Sequence, residues 1–174
     1  MVERCIMIFP EFGNIDVING IRDKYDPLAK HVRPHITLVF PFQSDISSIE
    51  LKKHLENVLS SVKPFAVTLQ GITPVQSFGN YLFLNVVKGS NEIIDLHKQL
   101  YTDLLEPIYS QWLKNGSYFP HMTVGKIVSE EEFKAAIEDI KGINDTFDTV
   151  IKKISVEIID ENEDSIIEME IPLL

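Results

Sequence analysis

Cysteine and tryptophan are almost absent from this 174-residue chain, which has one of each. The single Cys5 cannot form an internal disulfide, and a fold without disulfides suits a reducing compartment. One cysteine and five histidines also leave little room for a cysteine-based metal cage. We therefore expect no bound metal and no cofactor.

Long apolar runs are missing as well. No stretch approaches the roughly 20 apolar residues of a membrane span. Glu3 and Arg4 interrupt the short apolar run at the N-terminus, unlike the continuous apolar core of a signal peptide. The sequence therefore predicts a cytoplasmic protein that does not bind membranes. It leaves the oligomeric state open, with a monomer as the simplest expectation.

Positive charge is in short supply. The chain has 16 lysine and arginine residues against 26 aspartate and glutamate residues, which gives a net charge of −10. Proteins that bind long nucleic acids use many cations to neutralise phosphates, so the sequence disfavours that class. A small phosphorylated nucleotide or an RNA terminus is still a compatible partner, because a few local cations and backbone amides suffice for its charge.

Apolar residues make up 44% of the chain, enough to bury a core, and the predicted elements occur twice in one order. The first half has a strand at 3–9, a helix from about Ile15 to Lys30 that Pro34 stops, a strand from His35 to Phe42, a helix opened by Ser47-x-x-Glu50, and strands at 65–69 and 82–86. The second half has a helix at about 91–106, a strand from His121, a helix opened by Ser129-x-x-Glu132, and strands at 154–158 and 167–171.

This repetition predicts an α+β fold with two similar lobes. Each lobe is a mostly antiparallel sheet flanked by helices, and a pseudo-twofold axis relates the lobes across a central cleft. We expect a single bilobal domain over residues 1–174, with approximate lobes 1–88 and 89–174 and with exchange of strands between them allowed. A one-lobe arrangement is the alternative.

The strongest motif in the sequence is also duplicated. Pro34-His35-Ile36-Thr37-Leu38 and Pro120-His121-Met122-Thr123-Val124 match position by position. On a strand, the histidine and the threonine of each motif point to one face while the apolar residues point to the other. If the two polar faces meet across a cleft, two imidazoles and two hydroxyls face one ligand.

That set of groups is suited to phosphodiester chemistry. One imidazole takes the proton of an attacking oxygen while the other protonates the leaving oxygen, and histidine has a pKa near neutrality for both tasks. Threonine hydroxyls donate to the non-bridging phosphate oxygens as negative charge develops there. The competing interpretation is a half-buried histidine without a catalytic role, which explains a single motif as well as catalysis does but does not explain a matched pair.

The paired motif resembles that of the two-histidine phosphoesterase superfamily, which includes bacterial 2′-5′ RNA ligases and cyclic nucleotide phosphodiesterases. The resemblance extends over the whole chain through the order of its elements. It implies a bilobal α+β fold without a metal, in which His35 and His121 are the acid and the base and Thr37 and Thr123 hold the phosphate.

Four further residues are candidates for binding the substrate. Members of the superfamily often carry a cation just past the second motif, where this chain has Lys126, while Phe40 occupies the matching place of the first motif. Arg33 precedes the first motif and could reach a phosphate. Tyr118 and Phe119 precede the second, where an aromatic ring could stack on a base. We interpret the remaining histidines as structural or surface residues: His31, His54 and His97.

We therefore predict a metal-independent phosphodiesterase that hydrolyses a cyclic phosphate or a 2′-5′-type phosphodiester of a nucleotide or RNA end, with a role in RNA processing. Two alternatives stay open. One is an RNA-joining, 2′-5′ ligase-like enzyme that runs the same step in reverse. The other is a catalytically silent module that binds nucleotides or RNA ends.

Overall fold

Eight strands and four α-helices make up the chain in the computed structural model, which describes residues 1–174. The strands are β1 (Val2–Ile8), β2 (Ile36–Ser44), β3 (Phe65–Val75), β4 (Asn80–Lys88), β5 (His121–Ile127), β6 (Thr146–Ile151), β7 (Lys153–Ile159) and β8 (Ser165–Pro172). The helices are α1 (Ile15–Tyr25), α2 (Ser48–Leu59), α3 (Ser90–Leu100) and α4 (Glu130–Ile140). A 3-10 turn at Asp103–Ile108 and a kinked helical segment at Leu113–Ser117, in which Gly116 is left-handed (φ 81°), follow α3.

The strands form two four-stranded sheets, in the order β2-β1-β7-β8 and β5-β4-β3-β6. Every neighbouring pair is antiparallel. With the flanking helices, this confirms the predicted α+β class with two antiparallel sheets. Each sheet takes two strands from residues 1–88 and two from 89–174, because β7 pairs with β1 and β6 pairs with β3. The sheets therefore do not follow the approximate boundary at residue 88.

Both predicted serine N-caps are present. The Ser47 hydroxyl accepts from the Glu50 N–H at 3.2 Å, and the Glu50 carboxylate accepts from the Ser47 N–H at 3.1 Å, which completes a capping box. At the start of α4, the Ser129 hydroxyl accepts from the Glu132 N–H at 3.3 Å. These local bonds fix where the two helices begin.

The first predicted helix is shorter than expected. α1 ends at Tyr25 and not near Lys30, since Pro27 disfavours a helical conformation at the residue before it, Asp26, which is extended (φ −114°, ψ 111°). Pro34 was the wrong stop signal, because it lies well beyond the end of the helix. The residues between α1 and β2 instead form a loop that leads into the first motif.

The second half differs from the prediction in two places. α3 ends at Leu100 rather than near residue 106, and the chain continues as a 3-10 turn that contains Pro107. β6 was not predicted. Its alternation of buried Phe147 and Ile151 with exposed neighbours is the ordinary pattern of a half-buried strand, so the signal was present in the sequence.

The core joins the two sheets. One cluster of 34 buried residues contains side chains from both sheets and from all four helices. The helices also cross between the halves, because α1 packs against β5 and α3 packs against β2. Each strand that carries a His-x-Thr motif is therefore supported by a helix from the other half of the chain. None of the helices combines the length and the apolar character needed to cross a membrane.

Candidate active site

The two motifs lie on strands that occupy equivalent places in the two sheets. β2 is an edge strand of the first sheet and β5 is an edge strand of the second. These two edges contact each other. The contact brings together two segments that are far apart in the sequence, and it is the step that no local pattern could predict.

A β-bulge follows the threonine of the first motif. Thr37 pairs with Met7 and Val39 pairs with Ile6, so two steps along β2 correspond to one step along β1. Leu38 is the extra residue. A bulge of this kind shifts the alternation of side chains by one, so the residue directly beyond it changes faces. A second shift of register follows between Val39 and Phe42.

The second motif contains the same feature. Thr123 pairs with Phe83 and Gly125 pairs with Leu82, so Val124 is the extra residue on β5. The bulge again follows the threonine directly. Two independent strands thus share one irregularity at one position of the motif, which is how bulges that orient functional side chains are commonly used.

The bulges decide which later residues share a face with the threonines. Lys126 pairs with Tyr81, two residues from the partner of Thr123, and its Nζ lies 6.0 Å from the centroid of the Tyr81 ring. Regular alternation would have placed Lys126 on the opposite face. At the matching place of the first motif, Phe40 lines the same cavity as Thr37. The cation predicted beside the second motif is therefore on the side of the threonine.

Each catalytic candidate histidine is held through Nδ1. His35 Nδ1 lies 2.8 Å from the carbonyl oxygen of Arg33, and His121 Nδ1 lies 3.0 Å from the carbonyl oxygen of Phe119. A carbonyl oxygen only accepts, so we assign the proton to Nδ1 in both rings. Nε2 is then the nitrogen that gains or loses a proton, and both accepting carbonyls belong to the residue before the motif's proline.

Burial lowers the pKa of both imidazoles. For each ring, the carbonyl bonded to Nδ1 acts in the opposite direction and is the second largest influence. Smaller influences on the pKa of His35 are the charges of Arg22, which lowers it, of Asp26, which raises it, and of His121, which lowers it. A positive charge on His121 therefore disfavours a second positive charge on His35.

A cavity of about 460 Å³ lies between the edge strands. Thr37, His121 and Thr123 line it, whereas His35 does not. Most of the other lining side chains are aromatic: Phe40, Phe78, Tyr81, Phe83, Trp112, Tyr118 and Phe119. A larger surface cavity of about 780 Å³ runs beside α1 and α4 and includes Lys126 but no motif residue. The smaller cavity is therefore the candidate active site, because Thr37, His121 and Thr123 line it.

The predicted binding residues have different environments. Phe119 is half-exposed, and its ring centroid lies 4.8 Å from that of His121. Arg33 places its guanidinium over the Phe9 ring at 4.3 Å and lines a separate surface depression. The ring of Tyr118 borders the cavity, but its hydroxyl donates to the carbonyl oxygen of Thr37 at 2.8 Å.

Sequence analysis missed the aromatic face of β4. The Phe83 ring lies against His121, with centroids 3.9 Å apart, and Tyr81 is two residues away on the same face. The alternation of Tyr81 and Phe83 with Leu82 and Leu84 was visible in the sequence and indicated one aromatic and one aliphatic face. No group of three or more His, Cys, Asp or Glu side chains is arranged to hold a metal ion.

The family match of the sequence and the names of its relatives assign the chain to enzymes of the phosphoesterase type. The chain belongs to the 2′-5′ RNA ligase superfamily, whose family model matches residues 10–163. This confirms the family and the enzyme class predicted from the motifs.

Relatives of this chain cover most of its length. A "Putative phosphoesterase" of Bacillus licheniformis is 25% identical over 151 residues, which is 85% of each chain. A "Putative phosphoesterase" of Bacillus cereus strain B4264 is 30% identical over 128 residues, or 73% of this chain and 71% of the relative. Their names agree with the class but state no substrate.

Solved structures share the fold at lower identity. A crystal structure of a phosphoesterase matches with a TM-score of 0.60 and 13% identity and covers 99% of both chains. LigT of E. coli, complexed with 3′-AMP, matches with a TM-score of 0.58 and 14% identity over 99% of this chain and 98% of LigT. At these identities the likeness concerns the arrangement of the backbone.

Proposed function

We propose that this chain is a metal-independent phosphodiesterase that hydrolyses a cyclic phosphate or a 2′-5′-type phosphodiester of a nucleotide or RNA end. The observation that carries the proposal is the matched anchoring of His35 and His121. Each ring is fixed at Nδ1 by a backbone carbonyl, which leaves Nε2 for proton transfer. An acid and a base of the same chemical type on contacting strands suit an in-line displacement at phosphorus.

The reaction proceeds in one displacement step. The Nε2 of the neutral imidazole takes a proton from water, whose oxygen forms a bond to phosphorus. The bond from phosphorus to the leaving oxygen breaks, and the Nε2–H of the other imidazolium protonates that oxygen. A 2′,3′-cyclic phosphate is thereby opened to a monophosphate, and the two imidazoles exchange protonation states. The enzyme returns to its starting form when one proton is gained and one is lost to solvent.

Charge that develops on the non-bridging oxygens needs donors. Thr37 and Thr123 both line the cavity, and each carries a hydroxyl that can donate to a phosphate oxygen. Lys126 adds a positive charge on the face of Thr123. The first motif has no such cation, because Phe40 occupies the matching place. Preformed donors of this kind stabilise the transition state more than the ground state.

The aromatic lining supports a nucleotide as the ligand. A cavity of about 460 Å³ lies within the usual size range for small-ligand sites. Aromatic rings stack on bases with little dependence on base identity, and Phe119 and Trp112 are both half-exposed at its rim. LigT, which shares the fold, is described in complexes with ATP and 3′-AMP. We propose the same ligand class here.

The first experiment measures hydrolysis of nucleoside 2′,3′-cyclic phosphates and of a 2′-5′-linked dinucleotide in excess EDTA. The matched control substrate is the 3′-5′-linked dinucleotide. We expect turnover of a cyclic phosphate or the 2′-5′ linkage at a rate that EDTA does not change. Activity abolished by EDTA and restored by a metal contradicts the proposal, as does the absence of turnover of every substrate.

Ligation is the second candidate, favoured by the family to which the chain belongs. The same site would join a 2′,3′-cyclic phosphate end to a 5′-hydroxyl end when the attacking oxygen comes from RNA instead of water. Adding both RNA ends to the assay distinguishes the two outcomes by the length of the product. Tight binding of nucleotide without any product would instead indicate a silent binding module.

The pH dependence of hydrolysis is a further prediction. Because burial lowers the pKa of both imidazoles from the usual value of 6.5, the optimum of kcat/KM is expected on the acid side of pH 6.5. A bound phosphate favours the charged imidazolium and raises its pKa, so the kcat profile is expected at higher pH than the kcat/KM profile. Rates measured with one cyclic phosphate at about ten pH values, from roughly pH 4.5 to 9, check both statements. An optimum of kcat/KM above pH 6.5 would contradict the first statement, and a kcat profile at the same or lower pH than the kcat/KM profile would contradict the second.

A further inference from the structure

The outer edge of β2 is covered by aromatic side chains. An edge strand leaves backbone N–H and C=O groups without strand partners. Here the Tyr118 hydroxyl donates to the carbonyl oxygen of Thr37 at 2.8 Å, and His97 Nδ1 lies 2.7 Å from the carbonyl oxygen of Leu38. Two backbone acceptors at the bulge of the first motif are therefore bound by side chains from the other half of the chain.

A third bond continues the pattern. The N–H of Phe40 donates to the hydroxyl oxygen of Tyr101 at 3.1 Å. We call His97, Tyr101, Tyr109 and Tyr118 the aromatic cluster. Three of its four members thus bond the backbone of β2 between Thr37 and Phe40, the segment that contains the catalytic threonine and the bulge.

The cluster is packed tightly. The rings of His97 and Tyr118 are parallel within 2° with centroids 3.7 Å apart, and His97 is 1% exposed. Burial lowers the pKa of His97 and raises that of Tyr101 to about 12. The imidazole therefore stays neutral, with its proton on Nδ1, where the Leu38 carbonyl accepts it.

Tyr118 also adjoins the second motif. The residue after it, Phe119, provides the carbonyl oxygen that lies 3.0 Å from His121 Nδ1. Two consecutive residues thus bond the two motifs, Tyr118 through its side chain to Thr37 and Phe119 through its backbone to His121. A shift of this dipeptide would change the distance between the catalytic groups.

We propose that Tyr118, supported by the stacked ring of His97, is a positioning residue that sets the separation between Thr37 and His121. The inference rests on the proposed function, since it assigns that separation a catalytic purpose. It also changes the role expected for Tyr118. One face of the Tyr118 ring packs against His97, and its hydroxyl donates to the carbonyl oxygen of Thr37. Tyr118 therefore orients the site instead of stacking on a base.

The test compares two single-atom deletions in the same cluster. Tyr118→Phe keeps the stacked ring and removes the bond to Thr37. The matched control, Tyr109→Phe, removes the hydroxyl of a tyrosine stacked on Tyr101 at 4.3 Å that makes no bond to β2. We expect Tyr118→Phe to lower kcat roughly 3- to 10-fold, the equivalent of one hydrogen bond, while KM changes less than about 2-fold. Tyr109→Phe is expected to leave both constants unchanged.

A double variant tests whether the effect passes through the threonine. In a Thr37→Ala background, Tyr118→Phe should have little further effect on kcat. The bond from Tyr118 to the backbone carbonyl of residue 37 is still present there, but no Thr37 hydroxyl is left for it to position. Equal and additive losses in both backgrounds overturn the proposal. So does a Tyr118→Phe variant with wild-type kcat.

Failure of the proposed function is recognised separately. It appears as absence of turnover by the wild-type protein on every substrate. In that case, hydrogen exchange of the backbone amides of residues 37–40 decides the inference. Faster exchange in Tyr118→Phe than in Tyr109→Phe supports the positioning role, and equal exchange in the two variants overturns it.

Discussion

His35→Ala and His121→Ala are each expected to reduce kcat for cyclic phosphate hydrolysis by roughly 10²- to 10⁴-fold, the usual contribution of a positioned acid or base. Each substitution removes the Nε2 that transfers one of the two protons. The variants should still bind substrate, since the threonines and the aromatic lining remain. The measurement is steady-state kinetics of both variants beside the wild type at several pH values.

The matched control is His31→Ala. His31 is four residues before His35, in the loop that leads into the first motif, and its Nδ1 lies 2.7 Å from a carboxylate oxygen of Asp164. His31 lies in the loop before His35, but it does not line the candidate active site. A loss below about 3-fold is expected for this variant, which corresponds to a surface interaction. A loss of kcat as large as that of His35→Ala would mean that disturbance of the loop, and not removal of the His35 imidazole, lowers the activity.

The two catalytic variants also distinguish the acid from the base. A substrate with a nitrophenolate leaving group needs no protonation, so it should restore most of the rate in the variant that lacks the acid. The variant that lacks the base is expected to remain slow on both substrates. Full activity of both alanine variants on the cyclic phosphate would place the reaction outside the His-x-Thr motifs.

The fold class and the features set by neighbouring residues could be predicted from the sequence, whereas the pairing of distant strands could not. The alternation rule correctly indicated that His121 and Thr123 share a face, because that rule is local. The N-cap at Ser47 could be predicted for the same reason, because its bonds lie within one helical turn. Local rules fail where a strand bulges. The face of Lys126 depends on the extra residue Val124, which becomes visible only through pairing with β4.

Nonlocal pairing explains the other gaps. β7 pairs with β1 and β6 pairs with β3, and the residues that meet in these pairs lie far apart in the sequence, as Gln70 and Thr146 do. Composition and periodicity describe one strand at a time and say nothing about its partner. For the same reason, sequence analysis assigned His97 no purpose beyond structure. Its bond to Leu38 joins segments 59 residues apart.

The loop before the first motif rests on a buried ion pair. Arg22 Nε lies 2.8 Å from Asp26 Oδ2, and the two side chains are only 2% and 6% exposed. The guanidinium also donates to the carbonyl oxygens of Leu28, at 3.3 Å, and Val32, at 2.9 Å. The other carboxylate oxygen of Asp26 accepts from the Leu28 N–H at 3.0 Å. The pair therefore connects the end of α1 to the loop that leads to His35.

Asp26→Ala is expected to lower the free energy of unfolding by roughly 3–5 kcal/mol, because it leaves the Arg22 guanidinium buried without its counter-charge. An opposing effect is smaller: a carboxylate at a helix C-terminus is unfavourable, by about 0.3–1 kcal/mol, and its removal offsets only part of the loss. Urea denaturation of the variant and the wild type measures the difference. Where the variant is still folded, kcat should also fall, since the loop positions the Arg33 carbonyl that anchors His35.

The chain offers a control of identical spacing. Lys52 and Glu56 form an ion pair four residues apart in α2, at 3.7 Å, but both side chains are more than half exposed. Water already solvates these charges, so Glu56→Ala is expected to leave the urea midpoint within the error of the measurement and kcat unchanged. If Asp26→Ala proved equally harmless, Arg22 would have to be solvated in solution. The loop before His35 would then be held by its backbone contacts and not by the ion pair.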